Sequence, residues 1–124
     1  MLNWIRIFLL LFATNSFGQI VVDFTTPGTQ TWICPPNVSQ ITVQCWGGGG
    51  GGGNSAFNSI NGGSGGGGGA FANKLLSVIP GTTYFINVGQ GGAGAPGNST
   101  AQASNGGDSW LNTTNTNPTN NSFP

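Results

Sequence analysis

The fold of this chain depends on residues 46–70, which read WGGGGGGGNSAFNSINGGSGGGGGA. Seven glycines (47–53) are followed by a polar and aromatic insert (54–61) and by a second glycine-dominated run (62–69). Segments with the pattern of β-strands lie on both sides. Two questions follow from the sequence: which β scaffold carries these glycines, and whether the glycines are ordered.

Three interpretations of the glycines compete. Glycine tracts behave as flexible tethers when nothing holds them. A phosphate-binding loop is disfavoured, because any polyglycine run contains its spacing by chance and no Lys-Ser/Thr pair or helix follows. In the third interpretation, the two runs and residues 89–97 pack as extended chains with three residues per turn, as glycine permits in crowded helices. The insert 54–61 then becomes a displayed tip, and displayed loops commonly carry binding.

The segments around the glycines alternate apolar and polar residues, which is typical of β-strands. The clearest is 39–46, where Ile41, Val43 and Cys45 point one way and Thr42 and Gln44 the other. The other predicted strands are 20–25, 29–34, 70–79, 84–88 and a short one at 108–111.

The adjacent pair Leu75-Leu76 predicts a bulge, or a strand covered on both faces. No segment after the leader has a helical period. The predicted class is all-β: a small antiparallel β-sandwich, jelly-roll-like, with long glycine-rich loops and polyglycine-II-like packing as an option.

The N-terminal residues 1–18 have the layout of a secretory signal peptide, with Arg6, an apolar run at 7–13 and small residues before Gln19. The apolar run is shorter than the roughly 20 residues of a spanning helix. Residues 19–111 are the predicted domain. The Asn-, Thr- and Pro-rich segment 112–124 reads as a linker or truncated tail, which suggests a fragment of a longer protein.

Charged residues are scarce: the whole chain has two basic and two acidic side chains. A surface that neutralises phosphates is therefore not expected, which argues against nucleic-acid partners and against polybasic binding to anionic lipid. The 24 glycines also leave little apolar surface to bury, so the predicted core is small.

The two cysteines of a chain with an export signal suggest a disulfide between Cys34 and Cys45. Such a bond would stabilise the domain by about 2 to 4 kcal/mol. The alternative is a pair of buried reduced thiols. A catalytic thiol is disfavoured because the chain has no histidine to activate it.

Other catalytic or metal-binding sets are incomplete. The only possible carboxylate dyad is Asp23 with Asp108, and a turn or solvated aspartate explains each equally well. Two cysteines without histidine cannot close a zinc site. The chain is therefore predicted to be non-enzymatic, without metal or cofactor.

Aromatic residues expected in the core are Trp32, Phe71, Tyr84 and Phe85. Candidate ligand contacts are Trp46, Asn54, Phe57, Asn58 and Trp110.

The order of elements resembles a known family. The residues that carry the likeness are 24–28 (FTTPG), 32–35 (WICP), 38–43 (VSQITV), Trp46 with its glycines, 78–84 (VIPGTTY), 88–92 (VGQGG) and 106–109 (GGDS). Together they resemble the glycine-rich domain of phage tail-fibre proteins and secreted bacterial surface proteins. The resemblance implies a non-catalytic sandwich that displays loops for receptor contact or adhesion, and the leader favours the secreted, Bacteroidetes-like branch. No ligand residue carries over, because the inserts vary.

The expected function is that of a secreted or cell-surface structural or adhesive module. Its expected partner is a surface receptor, glycan or matrix, without nucleic acid and without a membrane span once the leader is cleaved. The alternatives are a carbohydrate-binding module using Trp46, Trp110 and Phe57, a tail-fibre-like receptor-binding domain, and the non-catalytic N-terminal part of a longer secreted protein or enzyme.

Overall fold

The computed structural model describes residues 18–55, 63–97 and 101–118, and the regular structure in them is entirely β. Five strands follow in chain order: β1 Gly28–Ile33, β2 Gln40–Trp46, β3 Phe71–Ser77, β4 Thr83–Val88 and β5 Trp110–Asn112. Apart from Gly18, the predicted signal peptide lies outside the described residues. Phe57, Asn58 and the last six residues also lie outside them.

The strands form two antiparallel sheets packed against each other. One sheet has the order β1-β4-β5, and the other consists of β2 and β3. Trp32 of β1 is paired with Tyr84 of β4, and Ile41 of β2 with Leu76 of β3. Side chains from both sheets meet in one apolar cluster. The predicted all-β class and small antiparallel sandwich are confirmed.

The core is small and lies close to the turn between β3 and β4. Its buried members are Cys34, Leu76, Val78, Tyr84 and Leu111. The hydroxyl of Tyr84 accepts the backbone N–H of Ile79 at 3.2 Å, and its ring centroid lies 5.7 Å from that of Trp32. Gly81 closes the turn with a φ of 79°, a conformation that favours glycine.

Strand β2 has the predicted alternation. Ile41, Val43 and Cys45 are half-buried, whereas Thr42 and Gln44 are exposed. The first two pack against the core cluster. The inner face of β2 is therefore partly covered, and its opposite face lies in solvent.

Strand β3 differs from its prediction. Its pairing with β2 continues without interruption from Phe71 to Ser77, so the Leu75-Leu76 pair marks neither a bulge nor a strand covered on both faces. Leu76 is buried, and Leu75 is 61% exposed on the outer face. The simple alternation of a strand explains the pair: one leucine contributes to the core and the other does not.

The predicted strand at residues 20–25 is wrong. The segment pairs with no strand of either sheet, and Ile20, Val21 and Val22 are 87%, 69% and 55% exposed. β-branched residues favour an extended backbone, but a strand forms only where a neighbouring edge accepts its hydrogen bonds. This segment has the composition of a strand and no hydrogen-bonded neighbour in the described part of the chain.

The predicted disulfide is also absent, because both thiols are free. Cys34 is buried directly after β1, and its Sγ lies 3.4 Å from the carbonyl oxygen of Val38 in the connection to β2. Cys45 lies seven residues beyond Val38, which at about 3.3 Å per strand residue separates the thiols by roughly 20 Å. A disulfide needs Cα atoms within about 7 Å. Cys34 lies directly after β1 and belongs to the core cluster, whereas Cys45 is a half-buried residue of β2 outside that cluster.

The segment after β5 folds back onto the domain. The Asn112 side chain donates to the carbonyl oxygen of Thr116 at 3.0 Å, and the Asn117 side chain donates to the Asp108 carboxylate at 2.9 Å. The first part of the predicted linker is therefore hydrogen-bonded to the domain as far as residue 117. No helix in the described ranges has the length and hydropathy to cross a bilayer.

Candidate functional site

Four glycine-rich segments leave and re-enter the sandwich at one end. The first run (47–53) follows β2, and the second (63–70) leads into β3. The third (89–95) follows β4, and the fourth (104–107) leads towards β5. We call these four segments the glycine bundle.

The first and second runs are joined by backbone hydrogen bonds at every third residue. These bonds are Gly47 N–H to Ala70 at 2.8 Å, Gly50 to Gly67 at 2.9 Å and Gly53 to Ser64 at 2.8 Å. A spacing of three belongs to a helix with three residues per turn. A β-ladder would repeat every two residues instead.

The other residues of the first run bond to the two remaining runs. Gly48 and Gly51 donate to carbonyls of the fourth run, and Gly49 and Gly52 accept from the third. The fourth run also bonds to the third. The N–H of Ser104 donates to the carbonyl oxygen of Ala93 at 3.0 Å, and the N–H of Gly107 donates to that of Gln90 at 2.7 Å. The first run is thus surrounded by three neighbours, each bonded to a different residue of its turn. This is polyglycine-II-like packing, and the ordered-glycine interpretation is confirmed for the described residues.

The close approach of the runs explains why many positions are glycine. An added Cβ at eight glycines would overlap a backbone carbonyl group of a neighbouring run: Gly48, Gly51, Gly63, Gly66, Gly69, Gly89, Gly92 and Gly106. The spacing of three recurs in this set, because one residue per turn faces each neighbour. By contrast, an added Cβ at Gly65, Gly67 or Gly68 would meet open space.

The bundle projects its loops away from the sandwich. The first and third runs are parallel, since their bonds pair 49 with 92 and 52 with 95, and the other two runs return. Seven residues at about 3.1 Å each give a rod roughly 20 Å long. At its far end the first loop begins at Asn54, whose side chain donates to the carbonyl oxygen of Pro96 in the second loop at 3.0 Å. The described beginnings of the two loops are therefore joined at one tip.

Ser109 anchors the bundle to the sandwich. Its hydroxyl accepts the N–H of Gly89 at 2.8 Å and donates to the carbonyl oxygen of Trp46 at 2.7 Å. These two residues stand where the third and first runs begin. One side chain thus joins the roots of both outgoing runs to the start of β5.

An exposed aromatic pair lies beside these roots, on the outer face of the β2–β3 sheet. Trp46 and Phe71 are cross-strand partners with ring centroids 5.0 Å apart, and they are 62% and 54% exposed. The next pair on that face is Gln44 with Asn73. An exposed aromatic surface next to side-chain amides can stack on a ring and hydrogen-bond to its hydroxyls.

The structure separates the candidate ligand contacts predicted from the sequence. Trp46 is exposed at the root of the bundle, and Asn54 lies at its tip. Trp110 is only 9% exposed, on the face of β5 opposite Leu111, so its ring offers no open surface for stacking. Phe57 and Asn58 lie outside the described residues.

Phe71 was missed as a site residue. It was expected in the core, but as the cross-strand partner of Trp46 it lies on the outer face. The alternation of β3 could have predicted this position. Leu76 is the buried residue of the strand, and Phe71 lies five positions before it, which is an odd number. Side chains so related point to opposite faces.

A cavity of about 370 Å³ opens between the two sheets beside β2. Its wall includes Trp32, Val43, Cys45 and Leu111. All of residues 20–25 except Val21 also line it. Burial raises the pKa of the Cys45 thiol above its ordinary value of 9.0, so this thiol is less readily ionised than a free one.

The polar groups do not assemble a metal or phosphate site in the part of the chain that is described. No three His, Cys, Asp or Glu side chains there can share an ion. The N–H groups of the first glycine run that would cradle a phosphate instead donate to carbonyl oxygens: Gly47, Gly48, Gly50, Gly51 and Gly53. What the bundle offers is a shaped, uncharged surface.

Comparison with known proteins places this geometry in a family. Neither a curated protein nor a solved structure matches the chain. The family model described as "Glycine-rich domain" matches residues 25–122, a span that includes all five strands and the whole glycine bundle. The chain belongs to this glycine-rich domain family.

Proposed function

We propose that this chain is an exported, non-catalytic adhesive module in which the glycine bundle presents two loops to a partner at the cell surface. The single observation that carries this is the bonding of the first run to three neighbours, because it makes the glycines a rigid support. The bond from Asn54 to Pro96 supports a common tip for the two loops. Loops held by a rigid scaffold are where binding usually resides.

Export is supported by the sequence of the leader. Arg6 and the apolar run 7–13 have the layout of a signal peptide with cleavage before Gln19. The likeness to phage tail fibres and to secreted bacterial surface proteins supports contact with a receptor or a surface matrix. Expression of the full chain with its leader, followed by N-terminal sequencing of the exported product, tests the cleavage directly.

Adhesion is tested with beads that carry the full chain, applied to bacterial cells and to extracellular polysaccharide. We expect Phe57→Ser and Asn58→Ala to reduce retention at least tenfold, because both change the first loop. We expect Gly66→Ala to reduce it as well, because the added methyl group disturbs the support. Gly65→Ala is the matched control and should retain beads like the natural chain. Equal retention by all four variants would exclude the loops as the adhesive surface.

A second candidate function, carbohydrate binding, is favoured by the exposed Trp46–Phe71 pair. The chain's low charge suits a neutral sugar better than an acidic one. Titration with neutral oligosaccharides should quench tryptophan fluorescence in the natural chain, and Trp46→Ala or Phe71→Ala should abolish the response. Leu75→Ala, on the same outer face, is the control. A response that survives both aromatic substitutions would rule out the pair as the binding surface.

A further inference from the structure

The outer edge of β2 has unsatisfied backbone groups. Ser39 accepts from Val78, and Gly47 donates to Ala70, so the odd-numbered residues of this strand bond to β3. In an antiparallel pair the alternate residues direct their N–H and C=O groups to the other side. On β2 these residues are Thr42 and Gln44, together with the two ends of the strand.

The outward groups of Thr42 and Gln44 have no partner among the described residues. The carbonyl oxygen of Trp46 accepts the Ser109 hydroxyl, but no described group bonds to the outward N–H and C=O of Thr42 and Gln44. Both residues line the 370 Å³ cavity. An exposed edge of this kind is a template for pairing with another strand.

The cavity beside this edge is suited to the side chains of an added strand. Its walls carry Trp32, Val43 and Leu111, which are apolar, and Cys45. A strand paired with Thr42 and Gln44 would direct every second side chain into this space. The edge thus supplies hydrogen bonds and the cavity supplies apolar contact, which are the two components of strand addition.

Among the described residues, one unpaired segment has the matching pattern. In residues 20–25 the alternate positions Ile20, Val22 and Phe24 are apolar, and all three line the cavity. Yet the segment forms no ladder, and its first three residues are more than half exposed. An apolar segment and a strand edge thus lie side by side, and neither has its backbone hydrogen bonds to a neighbouring strand.

A short connection prevents the segment from completing its own sheet. Only Thr26 and Pro27 separate it from β1, which belongs to the opposite sheet. Fully extended, this link spans about 10 Å from Thr25 to Gly28, close to the usual distance between packed sheets. No slack remains for a full ladder along the β2 edge. In a second copy the segment is free of that restriction once the chain swings out at Gly28, whose φ is 112°.

We propose that the open edge of β2 and the cavity beside it bind residues 20–25 of a second copy of this chain as an added strand. Exchange of identical segments is a common route to a symmetric dimer. The low charge of the chain adds little repulsion between two copies. The added strand would extend the β2–β3 sheet to three strands and cover the exposed residues Ile20 and Val22.

Native Cys45 in the cavity wall provides the test. In full-length Val22→Cys, mild oxidation at about pH 8.5 should join position 22 to Cys45 and give a covalent dimer on a non-reducing gel. The natural chain and Val22→Cys/Cys45→Ser should give no covalent dimer on this gel, which excludes 45–45 and 22–22 bonds. Val21→Cys is the matched control, because its side chain points the other way.

The direction of exchange is tested by co-expressing Val22→Cys/Cys45→Ser with the natural chain. Position 22 of the double variant can then reach Cys45 only in another molecule, so a mixed covalent dimer is expected. A linked monomer in Val22→Cys, or no link at all, would overturn the exchange.

Thr42→Pro removes one outward N–H and spares the β2–β3 ladder, so it should reduce dimer formation at least tenfold with an unchanged circular dichroism spectrum. Undiminished dimer in this variant would overturn strand addition.

Discussion

The sandwich and the glycine bundle are ordered by opposite means. In the sandwich, side chains such as Leu76 and Tyr84 are buried between two sheets, and the hydrophobic effect favours their contact. In the bundle, glycine side chains have nothing to bury, and the runs are held by backbone hydrogen bonds that recur every third residue. The first region depends on the side chains that are present, and the second on the side chains that are absent.

This contrast explains how so small a core coexists with so much glycine. Each ordered glycine costs about 1 kcal/mol more backbone entropy than alanine. In the bundle that cost is offset by hydrogen bonds and by Cα–H groups aimed at neighbouring carbonyls, as at Gly66 beside Gly50. The bundle is therefore predicted to depend on the sandwich for the position of its roots, and to respond to mutation by different rules.

The largest expected effect is on the sandwich. Leu76→Ala should lower the free energy of unfolding by about 3 kcal/mol, because it removes buried contacts and leaves a cavity. Leu75→Ala on the same strand, where the side chain is exposed, should change it by less than about 0.5 kcal/mol. Urea denaturation followed by tryptophan fluorescence measures both. Similar losses in the two variants would show that the core has been placed on the wrong face of β3.

The next effect concerns the bundle and uses two adjacent glycines. Gly66→Ala places a methyl group against the carbonyl oxygen of Gly50 and should cost about 2 kcal/mol. At Gly65 the methyl group meets open space, and substitution by alanine should stabilise by about 0.5 kcal/mol through the unfolded chain. Denaturation curves of the pair decide the matter. Two equal shifts would mean that the runs are not packed as described.

A smaller effect is expected where the two regions meet. Ser109→Ala removes the hydroxyl that joins Gly89 to Trp46 and should cost about 1 kcal/mol. Ser77→Ala, at the exposed end of β3, is the control and should be nearly neutral. Thermal unfolding of both variants gives the comparison. A neutral Ser109→Ala would show that the bundle roots are held without this side chain.

The smallest effect depends on pH. Burial raises the pKa of Cys45 in the folded state, so the folded protein holds this proton more tightly than the unfolded chain. The resulting stabilisation is complete below the ordinary thiol pKa of 9.0 and is lost as pH rises through the folded value. The difference in unfolding free energy between the natural chain and Cys45→Ser should therefore shrink above about pH 9. A difference that grows with pH would contradict the burial of this thiol.

Sequence patterns predicted the sandwich where alternation and burial agree. Ile41, Val43 and Cys45 lie on the half-buried face of β2 as expected. The strand prediction for residues 20–25 was wrong because composition indicates only a preference for extended backbone, whereas a strand also needs a neighbouring edge to pair with. The disulfide prediction was wrong for a related reason: strand alternation indicates that both side chains can face the core, but it carries no information on the distance between them.

The bundle was less predictable. A run of identical glycines has no side-chain pattern, so nothing in residues 47–53 distinguishes Gly48, which faces the third run, from Gly50, which bonds to the second. Only the three-dimensional arrangement assigns these roles. The site residues show the same limit: Trp46 and Trp110 both flank glycine loops, but the first is exposed and the second is buried in the structure.

The most direct test of an ordered bundle is amide hydrogen exchange of the full chain, resolved by residue with NMR. Within the first run, Gly50 and Gly51 donate to carbonyl oxygens and should exchange slowly, whereas Gly49 and Gly52 only accept and should exchange fast. Gly92 and Gly107 should also be slow. This alternation within a uniform glycine run is the predicted result. Exchange of Gly50, Gly51, Gly92 and Gly107 at the unprotected rate would show that the glycines are a tether and contradict the rigid bundle.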